Sequence, residues 1–271
     1  MSNLKHVLKN VLPQKLLIWI FLKRKAVRKK MSKRRRLQKR YVAKYISQNG
    51  LQVSNGPFAG LLYVSQAAGS SLLNKLIGCY EEPLHSYLEK IKLDSYDTIV
   101  DIGCAEGYYL IGLGISFPHA HLVGFDSNSQ ALKLASLLAE KNNIGGRLQL
   151  KRTCTFETLE KSIVGETLLI CDAEGFETEI LNPILSPKLA QIKTIIVETH
   201  DHKKPGASDT VKNRFQSTHI IETITLTPAN PDHYDFLRTQ VDPAHLIHIL
   251  KERTTKDQKM LVLNKKDTSY A

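Results

Sequence analysis

Two groups of polar residues in this 271-residue chain have types and spacing suited to chemistry. The first is Asp101, Gly103, Ala105 and Gly107, followed 25 residues after Asp101 by Asp126 and then Ser127. Glycine lets a backbone turn tightly and approach a ligand where a Cβ would clash. A carboxylate such as Asp126 can accept hydrogen bonds from both hydroxyls of a ribose. The second group is Asp172, Glu174, Glu198, His200, Asp201 and His202. An alcohol is a weak nucleophile at neutral pH, so its activation needs a base within hydrogen-bond reach. His200 is the first candidate, because an imidazole accepts a proton near pH 7. Asp172 is the second, and Glu174 is placed to orient a substrate. The bland alternatives are a solvent-exposed loop histidine for His200 and a helix cap for Asp172. Asp172, Glu198 and Asp201 could instead gather a hard divalent cation. Nothing in their spacing sets a mutual geometry, so no metal site is assigned.

The elements between these groups must position them. Thr98 to Ile102 and Leu122 to Phe125 are short apolar runs that read as buried strands, joined by an apolar helix from Tyr108 to about Phe117. Strand, glycine turn, helix, strand, acid is the layout of a nucleotide-binding βαβ unit. A dinucleotide fingerprint G-x-G-x-x-G does not fit, because Gly103 and Gly107 are four apart with Ala105 between them. Further on, Ser129 is placed to cap a helix to about Lys141. Strands are expected at Arg147 to Lys151, Thr167 to Cys171, Thr194 to Val197 and His219 to Leu226. A seventh, Met260 to Leu263, should pair antiparallel with the sixth at the sheet edge. Helices are expected from Pro83 to Leu93 and from the Asp172 turn to about Leu185. Strands alternating with helices predict an α/β, Rossmann-like, mostly parallel seven-stranded sheet with helices on both faces. Ligands of such sheets bind beyond the carboxyl ends of the strands, where both polar groups fall.

Charge divides the chain. The net charge is +12, yet residues 1–80 hold 17 Lys or Arg and no acid. The 38 basic residues less these 17 leave 21 against 26 acids, a net of −5 for the remainder. A basic front end on a mildly acidic domain points to an anionic partner. Leu16 to Leu22 is a seven-residue apolar run between Lys15 and Lys23, with Trp19 and Phe21 inside it. That is far short of the ~20 residues that span a bilayer, but it suits a membrane interface. The basic cluster from Lys23 to Arg40 would then face anionic headgroups. A solvated tail and a nucleic-acid arm are the other readings. The arm has few aromatics beyond Tyr41 and Tyr45, which weakens the nucleic-acid reading. The four cysteines form no C-x-x-C pair, so neither a zinc site nor a disulfide framework is signalled. A reducing cytoplasm, at most the inner face of a membrane, is the matching compartment. The expected organisation is a basic amphipathic extension at 1–46, a turn-rich cover at 47–82, the catalytic domain at 83–266 and a tail at 267–271.

The run D-x-G-x-[GA]-x-G with an acid at the next strand end resembles the first motif of S-adenosylmethionine (AdoMet) methyltransferases. More closely, the chain resembles the FkbM family of these enzymes. Val100–Leu113 (VDIGCAEGYYLIGL) resembles that family's first motif, and Cys171–Leu181 (CDAEGFETEIL) its I-D-x-E-G-[FG]-E-x-x-[IL]-L motif. Ile195–His200 (IIVETH) resembles its V-x-E-x-H strand, and Gly56–Leu84 an upstream G-P-F-x-G segment. Cys171 and Ala173 depart mildly from the pattern. The resemblance spans roughly 56–265 and leaves out the first 50 residues. It implies a Rossmann-like methyltransferase fold, AdoMet as cofactor and typically O-methylation, often of sugars of glycans, antibiotics or surface polysaccharides, which leaves the acceptor open. Together with the amphipathic basic N-terminus, the expected acceptor is a saccharide or glycolipid intermediate at a membrane surface. The implied cofactor residues are Asp101, Gly103, Gly107 and Asp126, with Asp172 and Glu174 at the active site. An RNA methyltransferase using the basic arm is the runner-up, and a non-catalytic scaffold the third reading. Enzymes that methylate DNA-base amino groups carry Asn/Asp-Pro-Pro-aromatic after the fourth strand. This chain has Asp172-Ala-Glu-Gly-Phe there.

Overall fold

The apolar runs assemble into one seven-stranded sheet. The computed structural model describes residues 33–252 and 258–267. A helix over residues 33–49 (α1) comes first, then α2 (Leu72–Ile77) and α3 (His85–Ile91). The alternating part follows: β1 (Thr98–Ile102), α4 (Tyr108–Ser116), β2 (His121–Phe125), α5 (Ser129–Lys141), β3 (Leu148–Lys151), α6 (Phe156–Ser162), β4 (Thr167–Cys171), α7 (Glu177–Ile180), β5 (Thr194–Thr199) and α8 (Ala207–Phe215). The chain closes with β6 (His219–Thr225), α9 (Asp235–Gln240), α10 (Pro243–Ile249) and β7 (Lys259–Lys265). The sheet order is β3-β2-β1-β4-β5-β7-β6. Only β7 runs against the others. This is the Rossmann-like α/β architecture expected of a class I methyltransferase.

Every residue of β1, β4 and β5 is buried. Strands covered on both faces need apolar side chains on both, which is why they read as unbroken apolar runs. Alternate residues feed two cores. Ile99, Leu168, Ile170 and Ile196 point to one side with α1, α2 and α4. Val100, Leu169, Cys171, Ile195 and Val197 point to the other, with α6, α7 and α8.

Register places the functional loops side by side. Ile102 lies opposite Phe125 on one side and Cys171 on the other. Cys171 in turn lies opposite Val197. The next residue on each strand is Gly103, Asp126, Asp172 and Glu198. The acids therefore emerge in one row at the carboxyl edge of the sheet.

Several expectations are corrected. The seventh strand is not at the edge. β7 pairs with both β5 and β6, and β6 takes the edge. Leu261, Val262 and Leu263 have apolar side chains on both faces and are fully buried, whereas β6 alternates with exposed positions and tolerates solvent. The helix after the Asp172 turn stops at Ile180 rather than Leu185. Pro183 disfavours helical backbone at Asn182. The cap of α5 is Asn128, whose Oδ1 accepts from the Gln130 and Ala131 amides, and Ser129 is the first helical residue. The turn-rich cover contains a helix, α2, besides the expected turns. Its Gly56–Gly60 turn lays Phe58 over α4, where a Cβ on Gly112 would meet the Phe58 ring at 2.6 Å.

The boundary expected at residue 46 falls inside α1. Leu37, Tyr41 and Tyr45 recur every four residues along α1 and are buried in the main core. Tyr45 is fully buried, and its hydroxyl lies 2.8 Å from the Gln52 carbonyl and 2.7 Å from the Leu76 carbonyl, either of which can accept its one proton. The interfacial segment Leu16 to Leu22, and the basic residues before Lys33, lie outside the described residues. Among the described residues no helix is long and apolar enough to cross a membrane. Tyr45→Ala, which empties a core site and removes that donor, should cost about 3–5 kcal/mol of stability, read from urea denaturation. A change below 1 kcal/mol would mean that α1 is not part of the cooperative core.

Candidate active site

One cleft of 1560 Å³ runs along the carboxyl edge of the sheet. Asp101, Gly103, Ala105, Asp126 and Ser127 line one part of it, and Asp172, Glu174, Glu198, His200 and His202 another. Of the residues expected at the site, Gly107 is not on its wall. Gly107 starts α4 in a left-handed conformation, and its N–H donates to Cys104 O at 2.7 Å. Its role is to turn the chain into the helix. Asp201 also leaves the acid cluster, because its carboxylate accepts from the Ser208 amide and hydroxyl.

The glycine loop is held from two sides. The Gly103 and Cys104 amides donate to Phe125 O at 2.8 and 3.0 Å. Gly103 has φ +84°, and a Cβ there would stand 1.9 Å from Asp172 O, so only glycine lets the β1 and β4 loops touch. The Asp126 carboxylate accepts from the Ala105 amide (2.9 Å) and the Asn128 amide (2.7 Å). A carboxylate offers about four lone-pair positions, so capacity is left toward the cleft. Asp101 is buried nearby. Burial, then the negative charges of Asp172 and Asp126, push its carboxyl up to about 8, against the pull of Lys75 and the Leu110 amide.

Glu106, inside the same loop, points away from the cleft and is fully buried. Tyr63 OH donates to it at 2.7 Å, Lys75 Nζ at 2.6 Å and the Ala68 amide at 2.9 Å. Burial alone would raise its pKa, but the Lys75 charge and these bonds hold it below the usual carboxylate range. Lys75 Nζ also sits 5.0 Å from the centre of the Tyr80 ring and 5.1 Å from that of Tyr108.

His200 is buried, at 3% exposure, and not a loop histidine in water. Its Nδ1 lies 2.7 Å from Glu177 Oε1. Glu177 is itself fixed by the Ala173 and Gly175 amides. Glu177 can only accept when ionised, so Nδ1 carries a hydrogen, and in the neutral ring the lone pair is on Nε2. Nε2 faces Asp172 Oδ1 at 3.6 Å, Glu174 Oε2 at 3.5 Å and Glu198 Oε1 at 3.6 Å. Burial alone would lower the His200 pKa. The Glu177 hydrogen bond and the charges of Glu177, Asp172 and Glu174 outweigh it and raise the value. Asp172 does not cap α7, whose cap position is Phe176. Glu174 has φ +55° and pairs with Lys203. One donor atom from each of Asp172, Glu174 and His200 lies within 4.8 Å of the others, a different trio from the one suggested by the sequence.

Sequence reasoning missed Glu106, Lys75, Glu177 and the α1 residues Arg34, Arg35 and Lys39, which also line the cleft. The one local signal for Lys75 and Glu106 was a lone charge inside an apolar or glycine-rich run.

No protein-family model matches the chain. No curated protein matches it. Among solved structures, an O-methyltransferase from Bacillus cereus in complex with SAH is 12% identical, over 84% of this chain and 90% of that one, at a TM-score of 0.46. An rRNA methylase from Streptococcus thermophilus is 14% identical over 68% and 97%, at 0.47. A precorrin-6y C5,15-methyltransferase from Geobacter metallireducens GS-15 is 12% identical over 69% and 88%, at 0.47. Likenesses of this size say nothing of what this chain binds or does.

Lys75→Met would leave Glu106 charged, buried and short of its cation. The loss should be about 3–5 kcal/mol in chemical denaturation. Adding Glu106→Gln should recover a large part of it. A double variant no better than Lys75→Met alone would show that Lys75 stabilises through packing only.

Proposed function

We propose that the chain is an AdoMet-dependent O-methyltransferase of the FkbM type, acting on a sugar hydroxyl of a glycan or glycolipid intermediate at a membrane surface. One observation carries the reading. A glycine loop flanked by Asp101 and Asp126 opens into the same cleft as an oriented, buried histidine. The motif residues quoted for the family supply the rest of the support. In this reading Asp126 and Ser127 receive the ribose, and Asp101, Gly103 and Ala105 receive the amino-acid end. When bound, AdoMet supplies an electrophilic methyl group on a sulfonium.

The chain's own residues then manage a proton. His200 Nε2 accepts the hydrogen of the acceptor hydroxyl as the oxygen becomes nucleophilic. Glu177 holds the ring through Nδ1 and stabilises the imidazolium that forms. Asp172 and Glu174, 3.6 and 3.5 Å from Nε2, orient the hydroxyl. The basic N-terminus holds the enzyme near anionic headgroups.

Calorimetric titration with AdoMet tests the cofactor. Wild type should bind at micromolar concentration, and Asp126→Ala should weaken binding by about 1–3 kcal/mol. With the Asp101 pKa near 8, cofactor binding at pH 7 should release a proton, seen as a heat that varies with buffer ionisation enthalpy. No binding by wild type would favour the scaffold reading.

The base is tested by pH. His200 must be neutral to accept, and its pKa is raised above 6.5. Turnover should therefore rise with pH through a value above 6.5. Glu177→Gln should move that limb to lower pH and reduce kcat, while His200→Ala should cost about 10²–10⁴ in kcat and leave AdoMet affinity intact. An unmoved limb in Glu177→Gln would remove His200 from the role.

A further inference from the structure

The cleft is larger than its acid floor. One stripe of α1 runs along it: Arg34, Arg35, Gln38 and Lys39, then Val42 and Ile46. These positions recur at helical spacing, so they share one face. The adjoining face carries Leu37, Tyr41 and Tyr45 into the core, and Val42 and Ile46 pack partly against it, which fixes the stripe at the edge of the cleft. Arg35 and Lys39 are exposed, and among the described residues neither pairs with an acid. Arg34 is tied back, donating to Lys251 O. The sheet edge presents Asp101, Asp126, Asp172, Glu174 and Glu198 with Arg152 and Lys203 among them, and the α1 wall presents Arg35 and Lys39, with Glu252 beside Arg34.

A second observation lies on the same wall. The loop Ser65–Ser71 is small and polar, and Ser70 Oγ is buried with no hydrogen-bond partner among the described residues. Its neighbour Ser71 donates to Gln38 of α1 at 3.2 Å, so the Ser70 hydroxyl is a buried donor beside the cationic stripe.

We infer that the acceptor is a sugar carrying a phosphate or pyrophosphate, held by Arg35 and Lys39 of the first described helix at the α1 end of the cleft. This rests on the O-methyltransferase reading and names its substrate class. At the acid end a phosphate would meet the carboxylates of Asp126, Asp172, Glu174 and Glu198, with Lys203 already paired to Glu174. At the α1 end it meets Arg35 and Lys39, which pair with no acid among the described residues, and the Ser70 hydroxyl. Its sugar hydroxyl then extends along the cleft toward His200. Arg and Lys both suit phosphate, Arg by paired N–H donors and Lys as a point charge.

The test uses the full-length protein with AdoMet present. Inorganic pyrophosphate should bind, and the double variant Arg35→Glu/Lys39→Glu should bind it at least tenfold more weakly with AdoMet affinity within twofold of wild type. A nucleoside diphosphate sugar and a polyprenyl-pyrophosphoryl sugar in detergent, as methyl acceptors, separate the two sources of the group. Either one outcompeting a neutral methyl glucoside by tenfold supports the inference. Pyrophosphate binding unchanged in the double variant, or a neutral glucoside accepted as well as either sugar phosphate, overturns it. A 12-nucleotide RNA methylated in preference to both sugars overturns it in favour of nucleic acid. Loss of AdoMet binding in wild type would instead strike at the methyltransferase reading, and the pyrophosphate arm would still judge the anion site.

Discussion

The carboxylate of Glu106 is the constraint on which the rest depends. It is fully buried and accepts from Tyr63, Lys75 and the Ala68 amide. A buried charge without partners costs several kcal/mol, so the three donors must be brought to it. They come from the cover segment and α2, not from the sheet. Glu106 itself sits in the loop between β1 and α4. One ion pair therefore fastens the cover to the glycine loop and sets the wall of the cleft that the loop faces.

From that loop the site extends by register. Ile102, Phe125, Cys171 and Val197 are level across four parallel strands. The acids that follow them have no choice but to meet. Crowding has a direct consequence: Asp101 is pushed up to about 8 by burial and by Asp172 and Asp126. The same crowd raises His200 against its own burial. The same carboxylates raise the pKa of an acid and of a base alike, because each negative charge disfavours losing a proton from either.

The N-terminal helix changes how the basic charge is understood. Its buried side, Leu37, Tyr41 and Tyr45, makes it part of the main core. Its other side faces the cleft with Arg35 and Lys39. The basic residues of α1 are thus anchored at a fixed place relative to the acids. Charge fixed to a rigid element can select a ligand by position as well as by sign.

The strands were legible in the sequence because a sheet buried on both faces demands apolar residues at every position. Thr98–Ile102 and Thr167–Cys171 match the expected bounds residue for residue. That Asp101, Asp126, Asp172 and His200 would line one cleft was legible too, since clefts of such sheets lie where the strands end. The place of β7 was not, because two apolar faces say that a strand is inside a sheet but not between which neighbours. The pairings that define the site were hidden as well. Tyr63 and Lys75 reach Glu106 across 43 and 31 residues, and Glu177 reaches His200 across 23. Local periodicity reports whether a side chain faces core or solvent. Which charge it meets there is decided when distant segments pack, because a buried charge takes whatever partner the fold brings within 3 Å of it.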